Sequence, residues 1–327
     1  EPIDFVLQGL RAAAEPTRLR LLALCADNEL TVTELTEILG QSQPRVSHHL
    51  RQLCDTELLE RRQEGTWAFY RMRSEGGGRE LVKTLLTLLP ENDEALTLDR
   101  ERLSKVKRAR AAEAQRIFAE NAPRWDELRQ LYVPESEVEL ALKGLFSDMH
   151  VNDFLDIGTG TGRILDLMAD HIARGVGIDL SRAMLAVARV NLQRPGASNC
   201  QVRHADMYKI PFATKSFDAV SIHMVLHYSD DPATVLVEAG RVLRPGGRMA
   251  VVDFERHDLE FLRTEHAHRR LGFTDSEMRD WFKGAGLECE TSVRLEGEEL
   301  TVVLWGVRRP MDTADCQGLP FSREAQA

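Results

Sequence analysis

Along the first quarter of the chain, apolar positions recur at helical spacing, switch to near-alternation, and then return to helical spacing. Leu7, Leu10, Leu19, Leu22 and Leu24 form an apolar stripe over residues 1–25, and Pro16 is placed to open a new helix, because proline is tolerated in a first turn. Thr31 to Leu39 predicts a short helix. Thr31 and Glu34 have the spacing at which a hydroxyl and a carboxylate cap each other's backbone N–H. Gly40-Gln41-Ser42 reads as a turn. Gln43 to Thr56 reads as a second helix, with Pro44 at its start and Val46, Leu50 and Leu53 facing inward. Leu58 to Arg62 and Thr66 to Met72 then flank a turn at Gln63-Glu64-Gly65, the pattern of a β-hairpin. Helix, turn, helix and hairpin predict a winged helix-turn-helix. Arg79 to Leu89 follows as a helix with a broad apolar face (Leu81, Val82, Leu85, Leu86, Leu88, Leu89). That face suits a dimer seam, and a buried place within the chain would look the same.

Pro90 to Asp93 interrupts the pattern, and Asp99 to Gln130 is a long, polar, helix-forming run that reads as a solvated helical face. After a helix over Val138 to Phe146, strands and helices alternate. Strands are predicted at Asp153–Ile157, Gly175–Ile178, Cys200–His204, Ala219–His223 and Met249–Asp253. Helices are predicted at Arg163–Asp170 and Arg182–Asn191, the latter capped by Ser181. Leu287–Val293 and Leu300–Val307 close the pattern as a hairpin. The expected fold is α/β: a Rossmann-like parallel sheet with helices on both faces and an antiparallel edge hairpin, preceded by a mainly α winged helix-turn-helix.

With 327 residues the chain can build two cores. Its formal charge of −10 excludes a generally basic nucleic-acid coat, but the charge is uneven. Residues 1–95 hold 11 Lys/Arg against 16 Asp/Glu, residues 96–130 hold 9 against 6, and residues 131–327 hold 22 against 30. Residues 43–73 reverse the local balance, with six arginines and four acids. The five cysteines (Cys25, Cys54, Cys200, Cys289, Cys316) are scattered without a C-x-x-C, which fits a reducing compartment and predicts no metal site. No apolar run reaches the roughly 18 residues of a membrane span. The first residues are acidic and unlike a basic-then-apolar leader, so a soluble, cytoplasmic protein is expected.

Residues 154–162, Phe-Leu-Asp-Ile-Gly-Thr-Gly-Thr-Gly, carry the strongest chemical signal. An apolar strand ends in a carboxylate and a loop with glycine at alternate positions, where a ligand can lie against bare backbone. The next apolar run ends at Asp179, an acceptor placed for ribose hydroxyls. A dinucleotide loop is the first alternative, but its glycines are spaced G-x-G-x-x-G and rarely follow an acid. The order Asp156-x-Gly158-x-Gly160-x-Gly162 resembles motif I of the class I methyltransferases that use S-adenosylmethionine (SAM). Further stretches of that family appear in order: Ala205-Asp206-Met207, Ile210-Pro211-Phe212, Phe217-Asp218-Ala219-Val220 and Leu243-Arg244-Pro245-Gly246-Gly247. The resemblance spans roughly residues 115 to 308. It implies a site for SAM or S-adenosylhomocysteine (SAH) built from Asp156, Gly158, Gly160, Gly162, Asp179, Leu180, Asp206, Met207 and His223. Asp206 would accept from the adenine amino group, with Met207 by the ring. His223 and His227, just past the fourth strand, are the candidate catalytic bases if the acceptor carries a proton; packing or cofactor contact is the alternative. Ile117-Phe118 through Trp125 and Arg129 resembles the N-terminal helix of ubiquinone/menaquinone-biosynthesis methyltransferases, which makes Trp125 and Arg129 a lid over the cofactor. Trp125 packed on the next domain is the alternative. His257, His266 and His268 are read as surface or lid residues, since i and i+2 on a helix point to different faces and chelate poorly.

In the N-terminal residues, Glu15-Pro16-Thr17-Arg18-Leu19, Ser42 through Leu53, Glu64-Gly65 and Tyr70-Arg71 together are similar to the ArsR/SmtB family of bacterial repressors. It implies that Gln43, Arg45, Ser47, His48 and Arg51 face the major groove of operator DNA, while Arg61, Arg62 and Arg71 on the wing meet phosphates. A helix-turn-helix kept only for dimerisation is the alternative. Metal-sensing members carry E-L-C-V-C-[DE]-L in the first of these helices, where this chain has Glu29-Leu30-Thr31-Val32-Thr33-Glu34-Leu35. Neutral hydroxyls do not replace soft thiolates, so metal sensing there is not expected. The expected organisation is a winged-helix DNA-binding and dimerisation domain over 1–95, a linker and lid helix over 96–130, a methyltransferase-like domain over 131–309 and a disordered tail over 310–327. The expected function is a homodimeric regulator whose operator binding depends on SAM or SAH. The alternative is a SAM-dependent methyltransferase of a small metabolite with an accessory winged helix. DNA methylation has little support, because no [DNS]-P-P-[YF] stretch follows the fourth strand.

Overall fold

A computed structural model of the chain describes residues 2–64, 67–73, 76–90, 92–121, 135–193, 195–297 and 299–311. It divides into two compact units, Glu1–Gln115 with Asp258–Ala267, and Arg116–His257 with His268–Ala327. Trp125, Arg129 and the tail past residue 311 lie outside the described residues.

In the first unit the local signals act as the pattern predicts. After α1 (Ile3–Ala13), Pro16 opens α2 (Pro16–Cys25), and the Glu15 carboxylate caps it by accepting from the Arg18 N–H at 2.9 Å. Thr31 and Glu34 form the reciprocal cap of α3 (Val32–Leu39), and Gly40 ends that helix in the left-handed region at φ 63°. α4 (Gln43–Asp55) buries Val46, Leu50 and Leu53 against Leu21, Leu22, Leu35 and Ile38. The wing is an antiparallel hairpin of β2 (Leu59–Glu64) and β3 (Trp67–Met72). The short β1 (Leu30–Thr31) joins the other side of β3, giving the order β1-β3-β2.

One open alternative is decided and one reading changes. The apolar face of α5 (Gly77–Thr87) is largely used inside the chain: Val82 enters the core, Leu81, Leu85 and Leu86 pack against it, and Leu88 is left exposed. The polar run beyond it is not a freely solvated face either. In α6 (Glu94–Asn121), Asp99 is buried and receives both Nε and Nη2 of Arg20 at 2.6 Å. Arg102 donates to the Ile38 carbonyl at 2.9 Å, Arg110 pairs with Glu34, and Val106 reaches the core. A charged helix packs well when one face meets partners for its charges, and composition does not reveal that.

The second unit starts with α7 (Glu135–Phe146). β4 (Val151–Ile157), α8 (Arg163–Met168), β5 (Ile172–Asp179), α9 (Arg182–Asn191) and β6 (Cys200–His204) follow. Then come β7 (Phe217–His223), α10 (Pro232–Val242), β8 (Leu243–Phe254), α11 (Phe261–His266, which belongs to the first unit), α12 (Asp275–Gly284), β9 (Glu288–Glu296) and β10 (Thr301–Arg308). The sheet order is β6-β5-β4-β7-β8-β10-β9. The first five strands are parallel, and β10 lies antiparallel between β8 and β9. The chain adds β5 and β6 on one side of β4, then returns to add β7 on the other. This reversal leaves a crevice past the carboxyl ends of β4 and β7, where such sheets hold ligands.

The opposite end of these strands is clamped. Asp218 accepts from the N–H groups of Asn152 (3.0 Å) and Asp153 (2.9 Å) and from Arg244 (2.5 Å), while Arg244 also reaches Asp153 at 2.9 Å. Burial pushes the Asp218 pKa up, but the hydrogen bonds from Arg244 and from the Asp153 backbone outweigh it and hold the group below the usual carboxylate range. A depressed native pKa gives stability that is full above the ordinary carboxylate value and is lost as pH falls through the native one. Acid unfolding followed by circular dichroism is expected to weaken in Asp218→Asn, which flattens the stability profile below the ordinary carboxylate range. An unchanged profile would show the clamp carries none of the acid sensitivity.

Candidate functional site

Asp156, the last residue but one of β4, is 1 % exposed and in parallel register with Ser221 on β7, whose hydroxyl donates to its Oδ1 at 2.6 Å. A carboxylate this deep must be hydrogen-bonded to remain tolerable, and it marks the strand boundary of the crevice. The loop that follows has Gly158, Gly160 and Gly162 all at positive φ (71°, 52° and 82°). At Gly158 an added Cβ would lie 2.5 Å from Val225 Cγ2, so the loop presses on the segment after β7. At Gly160 an added Cβ would meet nothing within 4 Å. One glycine is therefore needed for close approach, while the other exposes backbone to open space.

Asp179 closes β5 and ties this loop down: Oδ2 accepts from the Gly160 N–H at 2.9 Å and Oδ1 from the Ser181 N–H at 2.7 Å. Its surroundings are dense, and burial pushes its pKa above the ordinary aspartate value despite the bonds from Ser181 and Gly160. A carboxylate has about four lone-pair positions, so acceptor capacity beyond these backbone bonds remains for a ligand's hydroxyls. Leu180 beside it is exposed. Asp206, also exposed, follows β6 and accepts from the Tyr208 N–H at 2.9 Å, and Met207 packs on the sheet core. The Tyr208 hydroxyl lies 2.8 Å from Ser229 Oγ and accepts from the Asp230 N–H at 2.9 Å, binding the loop after β6 to the loop after β7.

The residues after β7 differ in what they can do. His223 closes the strand and is buried. Met224 has φ 54°, a strained setting for a non-glycine residue, and donates its N–H to the Val252 carbonyl at 2.8 Å. His227 is only 2 % exposed. Its Nδ1 lies 2.8 Å from Asp253 Oδ1 and its ring centroid 4.1 Å from that of His268. His268 is thus buried between rings, which corrects its expected place on the surface or in a lid. The physical reason is packing: the rings of His227 (4.1 Å) and Phe254 (5.7 Å) lie against the imidazole and shield it from solvent. Ser221, Tyr208, Met224 and Asp253 were not singled out from the sequence. Asp253 alone gave a signal there, as an acid closing an apolar run.

On the first unit, α4 shows a polar face above its buried side: Gln43, Arg45, His48 and Arg51 are exposed and Ser47 is half-buried. On the wing, Arg61 is exposed. Arg62 lies 3.5 Å from Glu29, and Arg71 pairs with Glu60 at 2.5 Å.

Comparison with known proteins agrees with this division. Residues 15–61 match the family of bacterial regulatory proteins described as arsR family, and residues 155–251 match a methyltransferase domain. The ubiquinone/menaquinone biosynthesis C-methyltransferase UbiE of Desulfotalea psychrophila is 40 % identical over 108 residues, which cover 32 % of this chain and 43 % of that protein. The demethylmenaquinone methyltransferase of Thermus thermophilus is 33 % identical over 42 % of this chain and 64 % of its own length. An arsenite methyltransferase of Aquipseudomonas alcaligenes is 31 % identical over 38 % and 44 %. The chain thus spans less than two thirds of the length of these relatives. A solved complex of the Haloferax volcanii Trm112 methyltransferase activator and a putative methyltransferase includes a chain that aligns over 59 % of this one and 97 % of itself, at 22 % identity and TM-score 0.49. The chain carries an ArsR-type helix-turn-helix and a class I methyltransferase domain.

Gly158→Ala is expected to cost about 1–3 kcal/mol in the α/β unit, from left-handed strain and the Val225 contact. Adding Val225→Ala should recover the contact part only. Equal thermal melts for wild type and Gly158→Ala would show that the loop is not held as described.

Proposed function

We propose that this chain is a DNA-binding transcription regulator whose methyltransferase domain binds SAM or SAH and couples occupancy to operator binding. The carrying observation is one chain that holds both an exposed polar recognition face on α4 and an acid-bounded glycine loop at the strand switch. The residues fit the nucleoside. Open space over Gly160 admits a ligand against backbone, Asp179 offers acceptors for ribose hydroxyls, and Asp206 with Met207 suits the adenine edge and face. Asp156 and the loop Gly158–Gly162 bound the methionine end, with Leu180 and His223 at the margins. SAM supplies a methyl group already activated on a sulfonium.

For DNA, Gln43, Arg45, Ser47, His48 and Arg51 face the major groove and Arg61 meets a phosphate. Arg62 and Arg71 can join only by leaving Glu29 and Glu60. The second copy of a homodimer would cover Ile3, Leu7 and Leu10, which stand exposed at helical spacing on α1. The relatives named for methylating demethylmenaquinone and arsenite favour a second reading, methyl transfer to a small acceptor, with His223 or His227 taking the acceptor's proton where it carries one.

Fluorescence titration of a DNA fragment selected by the protein from a random pool tests the first reading. Saturating SAM or SAH is expected to change the operator Kd by fivefold or more, the lower end of allosteric coupling. Arg45→Ala with Arg51→Ala should weaken binding at least tenfold in all ligand states. An operator Kd that is the same without ligand, with SAM and with SAH would overturn the coupled reading.

A further inference from the structure

Asp258–Ala267 sits in the chain between β8 and α12, yet it clusters with the winged-helix unit. Inside that unit, α11 buries Leu262 completely and leaves the Arg263 side chain 4 % exposed. The Arg263 guanidinium lies over the rings of Phe69 (5.4 Å) and Trp67 (5.7 Å), two wing residues that stack on each other at 6.3 Å. A cation held over two rings away from water binds them more strongly than an exposed one would. The wing of this protein is therefore held by a residue that the sequence places just after β8.

The two ends of the segment are stiff. At its stem, the Arg256 N–H donates to the Phe273 carbonyl at 3.1 Å and the His257 N–H to the Leu271 carbonyl at 3.0 Å. Gly272 has φ 75°, and a Cβ there would fall 2.2 Å from the Glu255 carbonyl oxygen, so the strands of the stem touch. α11 ends on Ala267, itself left-handed at φ 58°. The stem is anchored to the loop after β7. The His227 carbonyl accepts from the N–H groups of Arg269 (2.8 Å) and Arg270 (3.0 Å), and the His227 N–H and ring meet Asp253 near the end of β8. That loop also presses Val225 on Gly158. A segment whose two ends are bonded to each other, and one of whose ends is bonded through Arg269 and Arg270 to the loop after β7, is displaced when that loop moves.

We propose that Asp258–Ala267 carries occupancy of the crevice to the wing, with Arg263 as its contact on Trp67 and Phe69. The inference rests on the reading that the crevice binds SAM or SAH, and it names the physical route of regulation.

Amide hydrogen exchange on the full chain, with and without saturating SAH, tests it. In the wild type, SAH is expected to change exchange at least threefold both in residues 258–267 and in the wing hairpin 59–72. In Arg263→Met, which keeps an apolar stem, SAH affinity by calorimetry should stay within twofold of wild type. The 258–267 response should remain and the wing response should vanish. Trp67→Leu, at a partly exposed position, should give the same pattern and serves if the first variant folds poorly. A wing that is silent to bound SAH in the wild type, or that responds equally in both variants, overturns the inference while leaving the binding reading intact. A wing response with no change in operator affinity supports the inference and removes the coupled function instead. No binding of SAH at all removes both.

Discussion

A carboxylate buried to 1 % exposure at the end of a strand is costly unless its oxygens are met, and Asp156 is in that position at the point where the sheet reverses its order of strand addition. Ser221 meets it from β7, in register across the parallel pair. That pairing joins the two strands between which the crevice opens. The glycine loop can then pass above the strand ends only by left-handed backbone at three positions and by lying on Val225. Asp179 closes the arrangement by accepting from the loop itself. The opposite ends of β4, β7 and β8 are fixed by Asp218, Asp153 and Arg244, so the strands bounding the crevice are pinned at their other end.

The first unit solves a different problem. The second helix of its helix-turn-helix must keep one side apolar for the core while the other side stays polar. α4 does so with Val46, Leu50 and Leu53 inward and Gln43, Arg45, His48 and Arg51 outward. The wing arginines are committed differently: Arg62 and Arg71 answer acids of their own unit, while Arg61 is exposed. α6 is bonded to this unit through Asp99, Arg102 and Arg110, so it acts as a brace for α2 and α3.

Most elements were legible because their signals are local. Thr31 with Glu34, Pro16, Gly40 and the alternation around β2 and β3 each act within a few residues, and each element stands where its signal lies. The parallel sheet followed from the alternation of strands and helices, and the glycine loop from its spacing. What escaped the sequence is long-range. The burial of α6 depends on Arg20 lying 79 residues from Asp99. The burial of His268 depends on the rings of His227 and Phe254, which lie 41 and 14 residues away in the chain. The face of α5 could be read as a seam or as core, and packing, not periodicity, assigned Val82 to the core. Likewise nothing in the local pattern places Arg263 over Trp67.

The central claim is that the crevice past β4 and β7 holds an adenosyl nucleoside through Asp179. Calorimetric titration of the purified chain with SAH, beside Asp179→Asn, tests it most directly. The account predicts one site per chain, with affinity reduced at least tenfold in the variant, because the amide keeps the residue's shape but loses the charge that accepts from ribose hydroxyls. Absence of binding in the wild type, or equal affinity in both proteins, would contradict it.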